Sequence, residues 1–185
     1  MSDFEVRAGI PAEIREDEDG QIRVAGYAAV FDEETDVGGM FREAIAPGAF
    51  SDAIGRDDVV FLVNHDGLPL ARTRSGTLRL NQDERGLYME ADLDPNDPDV
   101  RAIVPKMKRG DLDKMSFGFI AERQKWDDMD SKYPKRTIQQ ARLMDVSVVT
   151  TPAYNGTEIA LRSLHAEKAS MSQAKRRLRM KSRFV

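Results

Sequence analysis

The chain has 185 residues, enough for one domain or one domain with a tail, with 41% hydrophobic residues for a core and 32% charged residues for its surface. It has no cysteine and only two histidines, which excludes disulfides, thiolate chemistry and cysteine-bound zinc or iron–sulfur sites and argues against a histidine-rich metal site. The net charge of −4 is unevenly spread: residues 168–185 carry seven basic residues and no acidic one, leaving −11 on residues 1–167. No run approaches the roughly 20 apolar residues of a membrane span. The first residues, Met1, Ser2, Asp3, Phe4 and Glu5, lack the basic and apolar regions of a signal peptide. The expectation is a cytoplasmic product.

In chain order, Ile22, Val24, Gly26, Ala28 and Val30 alternate with Arg23, Ala25, Tyr27, Ala29 and Phe31, the period of a strand buried on at least one face. Gly38 and Gly39 mark a break. Ala46-Pro47-Gly48-Ala49-Phe50 opens a short helix reaching Ile54, with Pro47 in its first turn. Residues 59–65 are almost wholly apolar, as in a central strand. A hairpin joins residues 77–80 to 87–91, with Gly86 suited to positive φ.

Asp97 caps a helix with Pro98 at its first position. Val100, Ile103, Val104 and Met107 fall on one face, and Gly110 stops it. Pro105 is a misfit that should kink this helix or end it early. Strands follow at 114–122 and 137–150. Mostly strands with a few short helices make a mainly β, α+β fold. The economical form is a closed or partly closed antiparallel β-barrel with peripheral helices, because closure removes exposed edges.

Three of these runs each carry one chemically useful residue: His65, Ser116 and Asp145. A serine hydroxyl needs a base to take its proton, and the base needs an acid to orient it. Side chains alternate along a strand. His65 then shares a face with Val63 and Phe61, Ser116 with Gly118, and Asp145 with Leu143 and Ser147. Gly118 leaves space beside the Ser116 hydroxyl. An Asp among Leu, Met and Val needs a partner, and an imidazole N–H is suitable. Each residue also has a plain structural explanation: a satisfied histidine at a strand end, an ordinary strand serine, and an aspartate paired with Arg142.

The wording around these residues resembles the tailed-phage prohead proteases, the capsid-maturation serine protease family related in fold to herpesvirus assemblins. The matching words are Gly26-Tyr27-Ala28-Ala29-Val30-Phe31, Ala46-Pro47-Gly48-Ala49-Phe50, Leu62-Val63-Asn64-His65-Asp66 and Pro69-Leu70-Ala71-Arg72-Thr73. They continue with Ser75-Gly76-Thr77-Leu78, Asp83-Glu84-Arg85-Gly86-Leu87, Met115-Ser116-Phe117-Gly118-Phe119 and residues 145–154. Together they span about residues 22–160.

The resemblance implies a serine endopeptidase acting inside the assembling prohead, in the cytoplasm of a bacterial host. Its substrates would be scaffold material, such as a delta-type extension of the major capsid protein, and commonly itself, with a possible homo-oligomer. It carries His65 over as general base and Ser116 as nucleophile. The third position is often Glu in the family; here it is Asp145, one methylene shorter. Asp66 competes for that role but should leave its strand on the opposite side, and His165 lies beyond the matched words.

No cofactor is expected: the chemistry calls for neither metal nor nucleotide, and no phosphate-binding glycine loop is present. Residues 1–162 are expected to form the protease domain and residues 163–185 a basic, flexible tail, with Ser163, Ala169, Ser170 and Ser172 in an exposed linker. The alternative function is a catalytically silent capsid-assembly or scaffold module. A nucleic-acid-binding barrel fits poorly with the −11 body and a 7% aromatic share.

Overall fold

A computed structural model of the chain describes residues 4–16, 20–151 and 157–181. The strands are β1 (Glu5–Pro11), β2 (Glu13–Glu16), β3 (Ile22–Val30), β4 (Thr35–Val37), β5 (Phe41–Ile45), β6 (Val60–Val63), β7 (Asp66–Arg72), β8 (Leu78–Gln82), β9 (Gly86–Leu93), β10 (Lys114–Asp127) and β11 (Lys135–Val149). The helices are α1 (Ser51–Arg56), α2 (Pro98–Lys108) and α3 (Thr157–Lys181).

Several elements follow directly from the residues that write them. Asp97 caps α2 by accepting from the Asp99 N–H at 2.8 Å, and Gly110 takes up φ +85° beyond its end. Pro105 does not end α2 at once; the helix runs to Lys108, within one turn of it. Pro47 lies in the turn before α1, which starts only at Ser51. Gly86 opens β9 but is not at positive φ. Its need is close approach: a Cβ there would lie 2.0 Å from the Ala29 carbonyl oxygen.

Among the described residues, one sheet has seven strands in the order β1-β10-β11-β5-β4, with β6 on β11 and β7 on β6. The other has four, in the order β2-β3-β9-β8. The fold is mainly β with a few helices, but neither sheet closes into the expected barrel. The sheet is also not purely antiparallel. β11 spans 15 residues and takes two parallel neighbours along its length: β5 beside Lys135 to Ile138, and β6 beside Asp145 to Val148. One long strand shared in this way branches the sheet instead of closing it.

The core collects Val24 and Ala28 of β3, Leu87, Met89 and Ala91 of β9, Met115, Phe117 and Phe119 of β10, Val146 and Val148 of β11, and the apolar face of α2. Phe50 packs edge-on against Phe117 at 5.6 Å, and Phe117 stacks on Phe119 at 5.1 Å. Met115, Phe117 and Phe119 thus anchor β10 from one side and leave Ser116 and Gly118 on the other.

A buried ionic quartet holds β1 in the large sheet. Arg136 of β11 reaches Glu5 of β1 at 2.7 Å and Glu43 of β5 at 2.8 Å. Arg7 of β1 reaches Glu43 at 2.6 Å and Glu5 at 2.9 Å. Two cations and two anions balance, and each carboxylate has two guanidinium partners. Removing one member would strand a buried charge, at a cost of about 3–5 kcal/mol.

Residues 157–181 form one helix, so the expected boundary between residues 162 and 163 falls inside α3. Ala160 and Leu164 are buried, and Ser163 is not in an exposed linker: its Oγ accepts from Gln124 Nε2 at 2.6 Å and Trp126 Nε1 at 3.2 Å. Beyond Leu164 the described side chains are exposed apart from the half-buried Met171. Among the described residues no helix is long and apolar enough to cross a membrane.

Candidate active site

The pairing of β10 with β11 sets Ser116 opposite Ser147 and Gly118 opposite Asp145. Cross-strand partners share a face, so these residues meet on the side of the large sheet away from Met115, Phe117, Val146 and Val148. The parallel pairing with β6 then sets Val60 beside Asp145 and Leu62 beside Ser147. Immediately past β6 the chain turns back into β7, and His65 sits in that turn.

Here two expectations from strand alternation fail. His65 does not continue β6. Asn64 and His65 have φ of 53° and 60°, both left-handed, and form the two-residue turn flanked by the Val63–Asp66 pair. Paired positive φ values characterise the tight hairpin turns that match strand twist. Asn tolerates this region well; for His it costs on the order of 1 kcal/mol. Asn64 secures the turn to β11: its N–H donates to the Val148 carbonyl at 3.0 Å, and its Oδ1 accepts the Thr150 N–H at 3.0 Å.

The second failure is in β11. Its pairing with β10 slips between Gly118–Asp145 and Phe119–Leu143, leaving Met144 as an extra residue. Leu143 therefore faces the core while Asp145 faces the site, and the two do not share a face. Asp57 braces this bulge by accepting the Leu143 N–H at 2.9 Å. Burial alone would raise the Asp57 carboxyl, but Arg56 and that N–H outweigh it and hold the group below its ordinary value.

The three candidates are brought together. His65 Nδ1 lies 2.6 Å from Asp145 Oδ1, and Nε2 lies 2.6 Å from Ser116 Oγ. A carboxylate at Nδ1 makes that nitrogen the donor and leaves Nε2 to accept. Ser116 is 0% and Asp145 4% exposed, and the His65 side chain is 11% exposed. The Ser116 hydroxyl also lies 2.8 Å from the Arg7 carbonyl of β1, so its one hydrogen has two acceptors in reach. Asp145 bonds to His65 and Ser147, not to Arg142. Asp66 is exposed and accepts the Gly67 N–H, away from the imidazole, and His165 is exposed on α3.

Gly118 has a use beyond leaving room for the hydroxyl. A Cβ there would lie 2.2 Å from Asp145 Oδ2 and 2.5 Å from the Phe4 ring. The missing side chain makes the notch that holds the carboxylate, and Phe4 closes it. Sequence reading missed Phe4 and the Arg7 carbonyl, for which no local pattern exists. It also gave Ser147 no role, although its spacing of two from Asp145 was a usable signal.

Carboxylate, imidazole and hydroxyl in series is the donor–acceptor order of serine hydrolases. The family model described as caudovirus prohead serine protease matches residues 11–174, and the chain belongs to that family. It is 32% identical over 139 residues to the prohead protease of Enterobacteria phage HK97, an overlap covering 73% of this chain and 57% of that protein. The chain thus spans little more than half the length of that relative. The solved structure of the bacteriophage T4 capsid assembly protease matches with a TM-score of 0.52 over 80% of this chain and 98% of that one. At 11% identity, that is a likeness of fold.

Proposed function

We propose that the chain is a serine endopeptidase of capsid maturation, with Ser116 as nucleophile, His65 as general base and Asp145 as its orienting acid. The observation that carries this reading is the His65 imidazole, held at 2.6 Å from both the Asp145 carboxylate and the Ser116 hydroxyl. His65 takes the hydroxyl proton through Nε2 as Oγ attacks the scissile carbonyl. Asp145 keeps the Nδ1 hydrogen in place and stabilises the imidazolium. His65 then returns the proton to the leaving amine, and water repeats the sequence on the acyl-enzyme. Family membership and the prohead protease relative support a substrate within the assembling capsid. On this reading it is the scaffold or a delta-type extension of the major capsid protein, and the enzyme itself, in the host cytoplasm.

The test is co-expression with the capsid precursor, read by mass spectrometry. Ser116→Ala and His65→Ala should each abolish precursor cleavage with the fold intact, since losing either typically costs 10⁴-fold or more. Normal processing by Ser116→Ala would end this reading.

A further inference from the structure

We infer that Ser147 is a positioning residue of this site, fixing the Asp145 carboxylate that orients His65; the inference rests on the proposed triad. Ser147 is 0% exposed, and its hydroxyl donates to Asp145 Oδ1 at 2.7 Å. That oxygen is the one facing His65 Nδ1 at 2.6 Å, and Ser147 Oγ itself lies 3.3 Å from Nδ1. The three atoms close a triangle.

The geometry explains why a second donor is needed. The terminal torsion of an aspartate is soft, with a broad twofold well. His65 bonds it from the left-handed turn beyond β6, and the Ser147 hydroxyl adds a second bond at the same oxygen from within the sheet. The Ser147 backbone pairs with Ser116 on one side and with Leu62 on the other, so its Cβ has strands on both flanks. Gly118 and Phe4 bound the carboxylate at Oδ2, while Ser147 fixes it at Oδ1. The strand serine therefore transmits the register of the sheet, through the acid, to the imidazole. An ionised carboxylate only accepts, so the Ser147 hydroxyl and the imidazole N–H are both satisfied at one oxygen.

The test uses the full chain and a fluorophosphonate probe, which Ser116 attacks through oxygen as fluoride leaves and His65 takes the proton. Ser147→Ala should lower the maximal inactivation rate roughly 10- to 100-fold, the range expected for a hydrogen bond to a charged group, with the probe's half-saturating concentration unchanged. Ser147→Cys fills the position with a somewhat larger group that is a weaker donor and should fall in the same direction, which covers the case that alanine unfolds the strand. Because Ser147 acts through Asp145, Ser147→Ala combined with Asp145→Asn should be no slower than Asp145→Asn alone, within about threefold.

Wild-type rates in both Ser147 variants would overturn the inference. So would losses that multiply in the double variant. If the wild-type chain is not labelled at Ser116, or Asp145→Asn labels at the wild-type rate, the triad itself fails; neither arm involves Ser147, so the two failures are distinguishable.

Discussion

Gly118→Ala adds one methyl group, and its consequence can be worked from the structure. The new Cβ would stand 2.2 Å from Asp145 Oδ2 and 2.5 and 2.6 Å from two Phe4 ring carbons. An ordinary carbon–oxygen contact is about 3.3 Å or more. The carboxylate must therefore retreat by about 1 Å, away from β10, and Phe4 must move too. On the proposed triad, a displacement of that size in the acid that orients His65 costs on the order of 10²-fold in rate. Overpacking adds a loss of about 1–3 kcal/mol in stability. The sign is informative, because Gly to Ala within a strand ordinarily stabilises. Fluorophosphonate labelling of Ser116 reads the rate, and thermal melting reads the stability. A Gly118→Ala protein with wild-type melting and wild-type labelling would refute the notch as a constraint on Asp145.

Asp145→Asn should impair precursor cleavage severely while Asp66→Asn is mild, since Asp66 is exposed and bonds only its local backbone among the described contacts; the reverse order in a cleavage assay would move the acid to Asp66. Asp92 is held at a pKa of about 2 by hydrogen bonds from Arg79 and Arg23, against the opposing effect of burial. A depressed folded pKa contributes stability above the unfolded value and loses it as pH falls through the folded one, so Asp92→Asn should cost about 1–2 kcal/mol at pH 7, allowing for solvent screening. In urea unfolding that gap should close between about pH 4 and 2; a constant gap would count against the ion pairs as its source. A chain truncated after Glu167 should fold and keep its activity, because the packed residues of α3, Ala160, Ser163 and Leu164, are retained. Removal of the basic segment by the enzyme itself is tested by sequencing the C-terminus in mature particles, and an intact Val185 would exclude it.

Much of the fold was legible where the sequence keeps a regular period. β3, the β8–β9 hairpin, α2 with its Asp97 cap, and the apolar halves of β10 and β11 all follow from alternation or helical spacing. What was hidden depends on long-range pairing. β1 was not readable because its polar residues Glu5 and Arg7 face inward and are neutralised by Glu43 and Arg136, residues distant in sequence. Polar residues normally signal a solvated segment. The branched sheet was equally hidden, since no local pattern in β11 announces that its two halves pair with different strands.

The candidate residues were legible in the sequence, and so were the shared faces of Ser116 with Gly118 and Asp145 with Ser147, but not the turn and bulge beside them. Ser116 and Asp145 share a face through the regular β10–β11 register, and three local departures complete the site. A left-handed turn replaces the end of β6 and swings His65 out of its strand face. An extra residue at Met144 turns Leu143 to the core while Asp145 keeps its place opposite Gly118 on the site side. A missing side chain at Gly118 gives the carboxylate somewhere to lie. Bulges and left-handed residues each sacrifice local stability, and they persist where surrounding contacts over-determine them. Asn64 with Thr150, Asp57 with the Leu143 N–H, and Ser147 with Asp145 are those contacts here. A strict period of two would have set Leu143 on the site side, beside Asp145 and Ser147. Regular pairing thus sets Ser116, Ser147 and Asp145 on one face, and the left-handed turn that brings His65 to them is the part periodicity cannot announce.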